Sequence, residues 1–173
     1  DALLQANDEA EKEFINDADF MIQIKDAIAL SMQERGKQQQ VIEVLTPLID
    51  YDIHKVTNLK GYAQALDSLW YSHMVIGQTE PAKQLITRAF NAFSQRKNNI
   101  GYAIITLDYT ASHSSELDEN RLITLLDEAI AIATATSDDD TILGNLYLNY
   151  CETLREKWYS NKAKVLLDKA QIA

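Results

Sequence analysis

Only two of the 173 residues are proline and five are glycine. Tight hairpins draw on these residues for their backbone angles, so a chain this poor in them has little means of building a meandering sheet. A single cysteine, Cys151, excludes an internal disulfide and any multi-cysteine zinc site. It is compatible with either a cytoplasmic or a periplasmic setting. No apolar run approaches the roughly 18 residues that a bilayer span requires, and no secretory apolar segment is present. The chain begins at Asp1 rather than Met and reads as a piece of a larger protein or a processed chain. Basic residues are also scarce: 16 Lys and Arg against 26 Asp and Glu, a net charge of -10. The basic residues form no stripe, and a phosphate backbone would be repelled, so nucleic-acid binding is not expected.

What the chain does have is ordinary globular material, 46% apolar and 24% charged. It is also repetitive. "LLDEAIAIA" (125–133) returns further along as "LLDKAQIA" (166–173). Ala89 and Ile49 hold the place of Ala129 in two earlier copies of the same period. A second ladder runs beside it: "GYA" at 61–63 and 101–103, with "ILG" at 142–144 and Met21–Gln23 as further copies. Two ladders of one period mean two elements per repeat, repeated about four times.

Both elements have helical spacing. Tyr62, Leu66, Leu69, Trp70, His73 and Met74 share one face, as do Ala82, Leu85, Ile86, Ala89, Phe90 and Phe93. Thr79, Ser115 (with Asp118) and the Asp138–Asp140 run are the expected helix starts; Gly36 and Gly77 are the expected stops. Helices are predicted at 2–16, 18–35, 38–50, 57–76, 80–96, 99–113, 118–136, 140–156 and 160–172. The expected fold is all-α: a right-handed α-solenoid of about four antiparallel helix pairs. Its repeats span 18–56, 57–97, 98–137 and 138–173, and residues 1–17 form an N-terminal capping helix.

The pattern resembles the tetratricopeptide repeat. Leu66, Leu69, Trp70, His73, Gly77, Ala82, Ile86 and Ala89 fit that family's slots in the second copy. In the fourth, Tyr147, Tyr150, Cys151, Leu154, Ala163, Leu167 and Ala170 fit. The third copy fits less closely and the first poorly, and the period of 40–41 departs from the usual of about 34. Longer repeats of this kind resemble regions of bacterial signalling proteins beside a diguanylate cyclase, a histidine kinase or a transcription-activator module. The resemblance implies a non-catalytic protein- or ligand-binding module with a sensory or interaction role; a structural adaptor or oligomerisation scaffold is the alternative.

No residue pattern announces a reaction. There is no phosphate-binding glycine loop and no nucleophile elbow, so no catalytic residue, cofactor or enzyme activity is expected. His73 and His113 lie one period apart, which repetition of a packing slot explains more simply than a metal site. Asp138–Asp140 lacks the spacing of a calcium loop, and Cys151 falls in a small-residue slot of the core. A binding surface remains. In repeats of this type the first helices line a concave face, here Gln64, Asp67, Tyr71, Met74, Val75, Leu107, Ala111, Asn145, Leu148, Glu152 and Arg155. That set suits a protein or peptide ligand, and the charge disfavours an acidic tail. The last helix, with Leu166, Leu167 and Ala170 facing inward, is expected to pack on a following domain or a second copy.

Overall fold

The computed structural model describes residues 2–14, 17–136, 143–144, 146–148 and 150–152. Among them there is no strand. The helices are α1 (Ala2–Phe14), α2 (Ala18–Gln33), α3 (Gln38–Leu45), α4 (Leu59–Val75), α5 (Thr79–Phe93), α6 (Ile100–His113) and α7 (Glu119–Thr136). Residues 143–144, 146–148 and 150–152 are helical too. The predicted helix at 160–172, its outward contact and the Asp138–Asp140 start lie outside the described residues.

Helix starts are set by short polar side chains that accept the otherwise unpaired amides of a first turn. Asp17 accepts from the Phe20 amide at 3.0 Å, Asn58 from Gly61 at 2.9 Å and Asn99 from Tyr102 at 3.1 Å. The intervals between these three caps are equal and match the period of the repeat. Two expected starts move. Thr79 is already inside α5, whose preceding residue Gln78 makes no side-chain cap. Asp118, not Ser115, caps α7 through the Arg121 amide at 2.9 Å. Gly36 and Gly77 do end α2 and α4, at φ 68° and 78°, a left-handed backbone that a side chain disfavours. The helix expected over 38–50 tightens at Thr46–Asp50 into a 3₁₀ turn that begins around Pro47, which has no amide to continue the α ladder.

Packing follows chain order. α2 lies against α1, α3 and α4; α4 lies against α2, α3, α5 and α6; α6 lies against α4, α5 and α7. One apolar core runs from Ile22 on α2 through Leu45, Leu66, Leu69, Ile86 and Phe93 to Ile105 on α6. A second joins Ala103, Leu107, Leu122, Leu126, Ala129 and Ala133 to Leu146, Tyr147, Tyr150 and Cys151. Ala82, Ala89 and Ala129 are all buried. Tyrosines bridge outward from first helices: Tyr62 Oη donates to the Leu48 carbonyl at 2.8 Å, and Tyr102 Oη to Glu128 at 3.0 Å. Burial pushes the Tyr62 phenol up to about 12, so it remains a donor at any physiological pH.

The connection at 51–58 is tied down by side-chain hydrogen bonds from two sides. Arg96 donates to the Ile53 and Val56 carbonyls at 2.8 and 2.9 Å. Asp19 accepts from the amides of Thr57 and Asn58, both at 3.0 Å, and from the Thr57 hydroxyl. Ile53 and Val56 face inward beneath these bonds.

α1 joins the rest through a polar clamp. Lys25 of α2 is 2% exposed, and its ammonium donates to Asn7 and to Glu11 of α1. Phe14 adds a ring contact with Phe20, centroids 4.3 Å apart. A buried ammonium needs its anion, but the Glu11 side chain is 42% exposed and solvent screens part of the interaction. Glu11→Gln is therefore expected to destabilise by about 1 kcal/mol, read as a lower urea midpoint. The Lys25 hydrogen bond and charge hold the Glu11 carboxyl below its usual range. This contribution is present above the ordinary carboxylate range and is lost as pH falls through the lowered value.

Candidate functional site

Helix α4 carries an exposed apolar strip at its C-terminal end. Tyr71 is 52% exposed and Val75 50%, with Met74 and Ile76 also open to solvent. Residues 71, 74 and 75 share one helix face by their spacing. Leu30, one period before Tyr71, is likewise exposed on α2, which packs on α4. Ala111 on α6 is exposed too. Large apolar side chains clustered in solvent are the feature most often associated with a contact surface.

The other expected binding residues distribute differently. Gln64 and Asp67 are half-buried. Leu107 is 8% exposed and belongs to the second core, so it is not available to a ligand. The helix spacing that placed it on the open face does not register that residues of α7 and of 146–151 join it in one core. Leu148 and Glu152 are exposed. Asn145 and Arg155 lie outside the described residues. The structure thus gathers Tyr71, Met74 and Val75 into one strip and takes Leu107 out of the set.

Beside this strip runs a feature that spacing alone did not single out. Asp26, Asp67 and Asp108 stand on α2, α4 and α6, one period apart, on helices that pack in succession. The Asp67 and Asp108 carboxyls act on one another. Asp108 is 6% exposed, and its Oδ2 has no hydrogen-bond partner; neither has Asp26 Oδ1. Burial, then the charge of Asp67, pushes the Asp26 carboxyl up to about 6. Burial raises Asp67 as well, against the lowering effect of Asp108. Asp108 is raised well above the carboxylate range, first by burial and then by Asp67. The signal was present in the sequence as a third ladder, an acid at three of its four steps, but an aspartate on a helix ordinarily reads as solvated surface.

A cavity of about 250 Å³ opens between α4, α5 and the 51–58 connection. Tyr62, Leu66, Leu85 and Phe93 contribute to its wall, and Arg88 and His54 stand among the lining residues. Arg88 pairs with Asp50 at 2.7 Å, and His54 Nε2 lies 3.2 Å from Gln95 Oε1. Arg88 and His54 are thus both already engaged.

The histidines take structural roles. His73 Nδ1 lies 2.7 Å from Gln78 Oε1, and the His113 ring stacks on Tyr109 and meets the Tyr109 carbonyl at 3.0 Å and the Thr87 hydroxyl at 3.1 Å. Among the described residues no group of three or more histidine, cysteine or acidic side chains is placed to hold a metal ion. No described helix is long and apolar enough to cross a membrane. Cys151 is buried, and that burial raises its thiol further from the reactive thiolate. Comparison with protein-family models and with curated proteins finds no match for this chain.

Proposed function

We propose that the chain is a non-catalytic, tetratricopeptide-like binding module, the sensory or interaction region of a larger bacterial signalling protein. In this reading it is a right-handed α-solenoid, with α2–α3, α4–α5 and α6–α7 as antiparallel pairs and α1 as the cap. Packing between near neighbours in chain order supports it, as do helix caps that recur with the period of the repeat. The observation that carries the binding role is the exposed Tyr71–Met74–Val75–Ile76 strip on a helix otherwise sunk in the core. A net charge of -10 selects the partner's chemistry: an amphipathic segment with basic residues flanking an apolar face.

Fluorescence anisotropy with two labelled amphipathic peptides, identical in apolar face and opposite in charge, tests this. The basic peptide is expected to bind, more weakly as salt rises. Tyr71→Ala combined with Met74→Ala should weaken it about tenfold or more, since exposed aromatic anchors dominate such contacts. Binding unaffected by that double substitution, or no binding of the basic peptide, would refute the proposal. Sedimentation on the same samples addresses the scaffold alternative: a dimer abolished by the double substitution would make the strip a self-association surface instead.

A further inference from the structure

Three carboxylates recur at one position of three successive first helices, turned inward where the helices meet. A carboxyl taken out of water with no donor facing it is held most cheaply as the neutral acid. Asp108 is 6% exposed, buried oxygens of Asp108 and Asp26 have no hydrogen-bond partner, and Asp67 stands between them on the helix that packs against both of theirs. We propose that Asp26, Asp67 and Asp108 form a proton-holding row, in which Asp67 and Asp108 share one proton at neutral pH and couple the packing of α4 on α6 to the proton concentration.

Like charges brought together out of water cannot all be ionised without cost; retaining a proton is the way out. The charges on neighbouring elements offer little other relief. On α2, Lys25 is turned to Asn7 and Glu11 of α1. On α5, Lys83 pairs with Glu116 and Arg88 with Asp50. On α7, Glu128 is engaged by Lys97 and Tyr102, and Asp127 accepts from Tyr150. α3 brings Gln40, whose buried Oε1 has no partner, and α6 brings His113, bonded to Tyr109 and Thr87. The groups that act on the row's carboxyls are the carboxyls themselves. The next step of the ladder, Asn149, is an uncharged isostere of aspartate in the sequence.

The sign follows from linkage. A carboxyl raised in the folded state binds more protons folded than unfolded across the interval between its two pKa values. For Asp26 that interval runs from 3.8 to about 6. For the Asp67–Asp108 pair it starts at the same unfolded value and extends upward. Stability is therefore fully present below the unfolded value and is lost as pH rises through the folded one. Glu11, Asp19 and Glu116, all lowered, act in the opposite sense in more acidic solution. The test therefore belongs above about pH 5.

The experiment is urea unfolding of the full chain between about pH 5 and about pH 8, with infrared spectra of the folded protein at neutral pH. In the wild type the unfolding constant should rise about tenfold or more over that range. A protonated-carboxyl stretching band should be present at neutral pH. Asp108→Asn should remove the band and flatten the pH dependence relative to wild type; contributions from the histidines, common to both proteins, cancel in the difference. Asp67→Asn should do the same, which keeps the test open if one variant does not fold. Absence of the band in wild type, or a pH dependence unchanged in both variants, overturns the proposal.

Discussion

Replacing Phe93 by alanine should cost about 3–5 kcal/mol, the range for emptying a fully buried aromatic site that cannot collapse. Phe93 has no exposed surface, and its ring lies 5.7 Å from that of Tyr62, centroid to centroid. On the other side it touches the start of α6. A β-carbon added to Gly101 would stand 2.6 Å from Phe93 Cε1 and 2.5 Å from the Leu59 carbonyl oxygen. Glycine is required at 101 because α6 is pressed this closely on α4 and α5. The walls of the Phe93 site are thus two helices fixed on either side of it, and neither can follow a shrinking side chain without losing contacts of its own. A urea melt should show a lower midpoint at nearly unchanged slope. Phe14→Ala, at a residue 36% exposed on α1, is the contrast, and a comparable loss at both sites would mean that the core is not where it is described.

Ala129→Leu is expected to destabilise by about 1–3 kcal/mol, through overpacking rather than cavity formation. Ala129 has no exposed surface and lies among Leu122, Leu126, Ala133 and Tyr150 in the second core. Added methylenes there must displace a neighbour or force an unfavourable rotamer. Ala135, further along the same helix, is exposed, and Ala135→Leu should be nearly silent. Equal midpoint shifts in the two variants would put the inward face of α7 elsewhere.

Much of the fold was legible because it rests on properties that reside in the order of residues. Helical spacing of Leu85, Ile86, Ala89 and Phe93 marked the buried side of α5, and all four are buried. Glycines that suit a left-handed backbone marked the ends of α2 and α4. Scarcity of turn residues argued against a sheet, and the described residues contain none. Boundaries were less legible: Asn58 and Asn99 are caps whereas Thr79 and Ser115 are not, since a polar residue before an apolar stretch is a capping candidate at several adjacent positions. Of the expected surface residues, Tyr71, Met74 and Val75 could be placed in solvent by helix phase alone.

Other features depend on which helices meet. Leu107 and Tyr71 read alike along the chain, but the second core takes in Leu107, whereas Tyr71 stays half in solvent. Lys25 looks like a surface lysine until α1 brings Asn7 and Glu11 over it. Asp26, Asp67 and Asp108 are ordinary polar positions on three separate amphipathic helices, and a single helix would leave each in water. Packing those helices against one another removes the water and sets Asp67 against Asp108. The helices, their apolar faces and their period can be read along the chain, because they follow from interactions a few residues apart. Which polar groups lose their solvent, and which charge they then meet, is set by packing, because desolvation and Coulomb energy depend on distances between residues far apart in the chain.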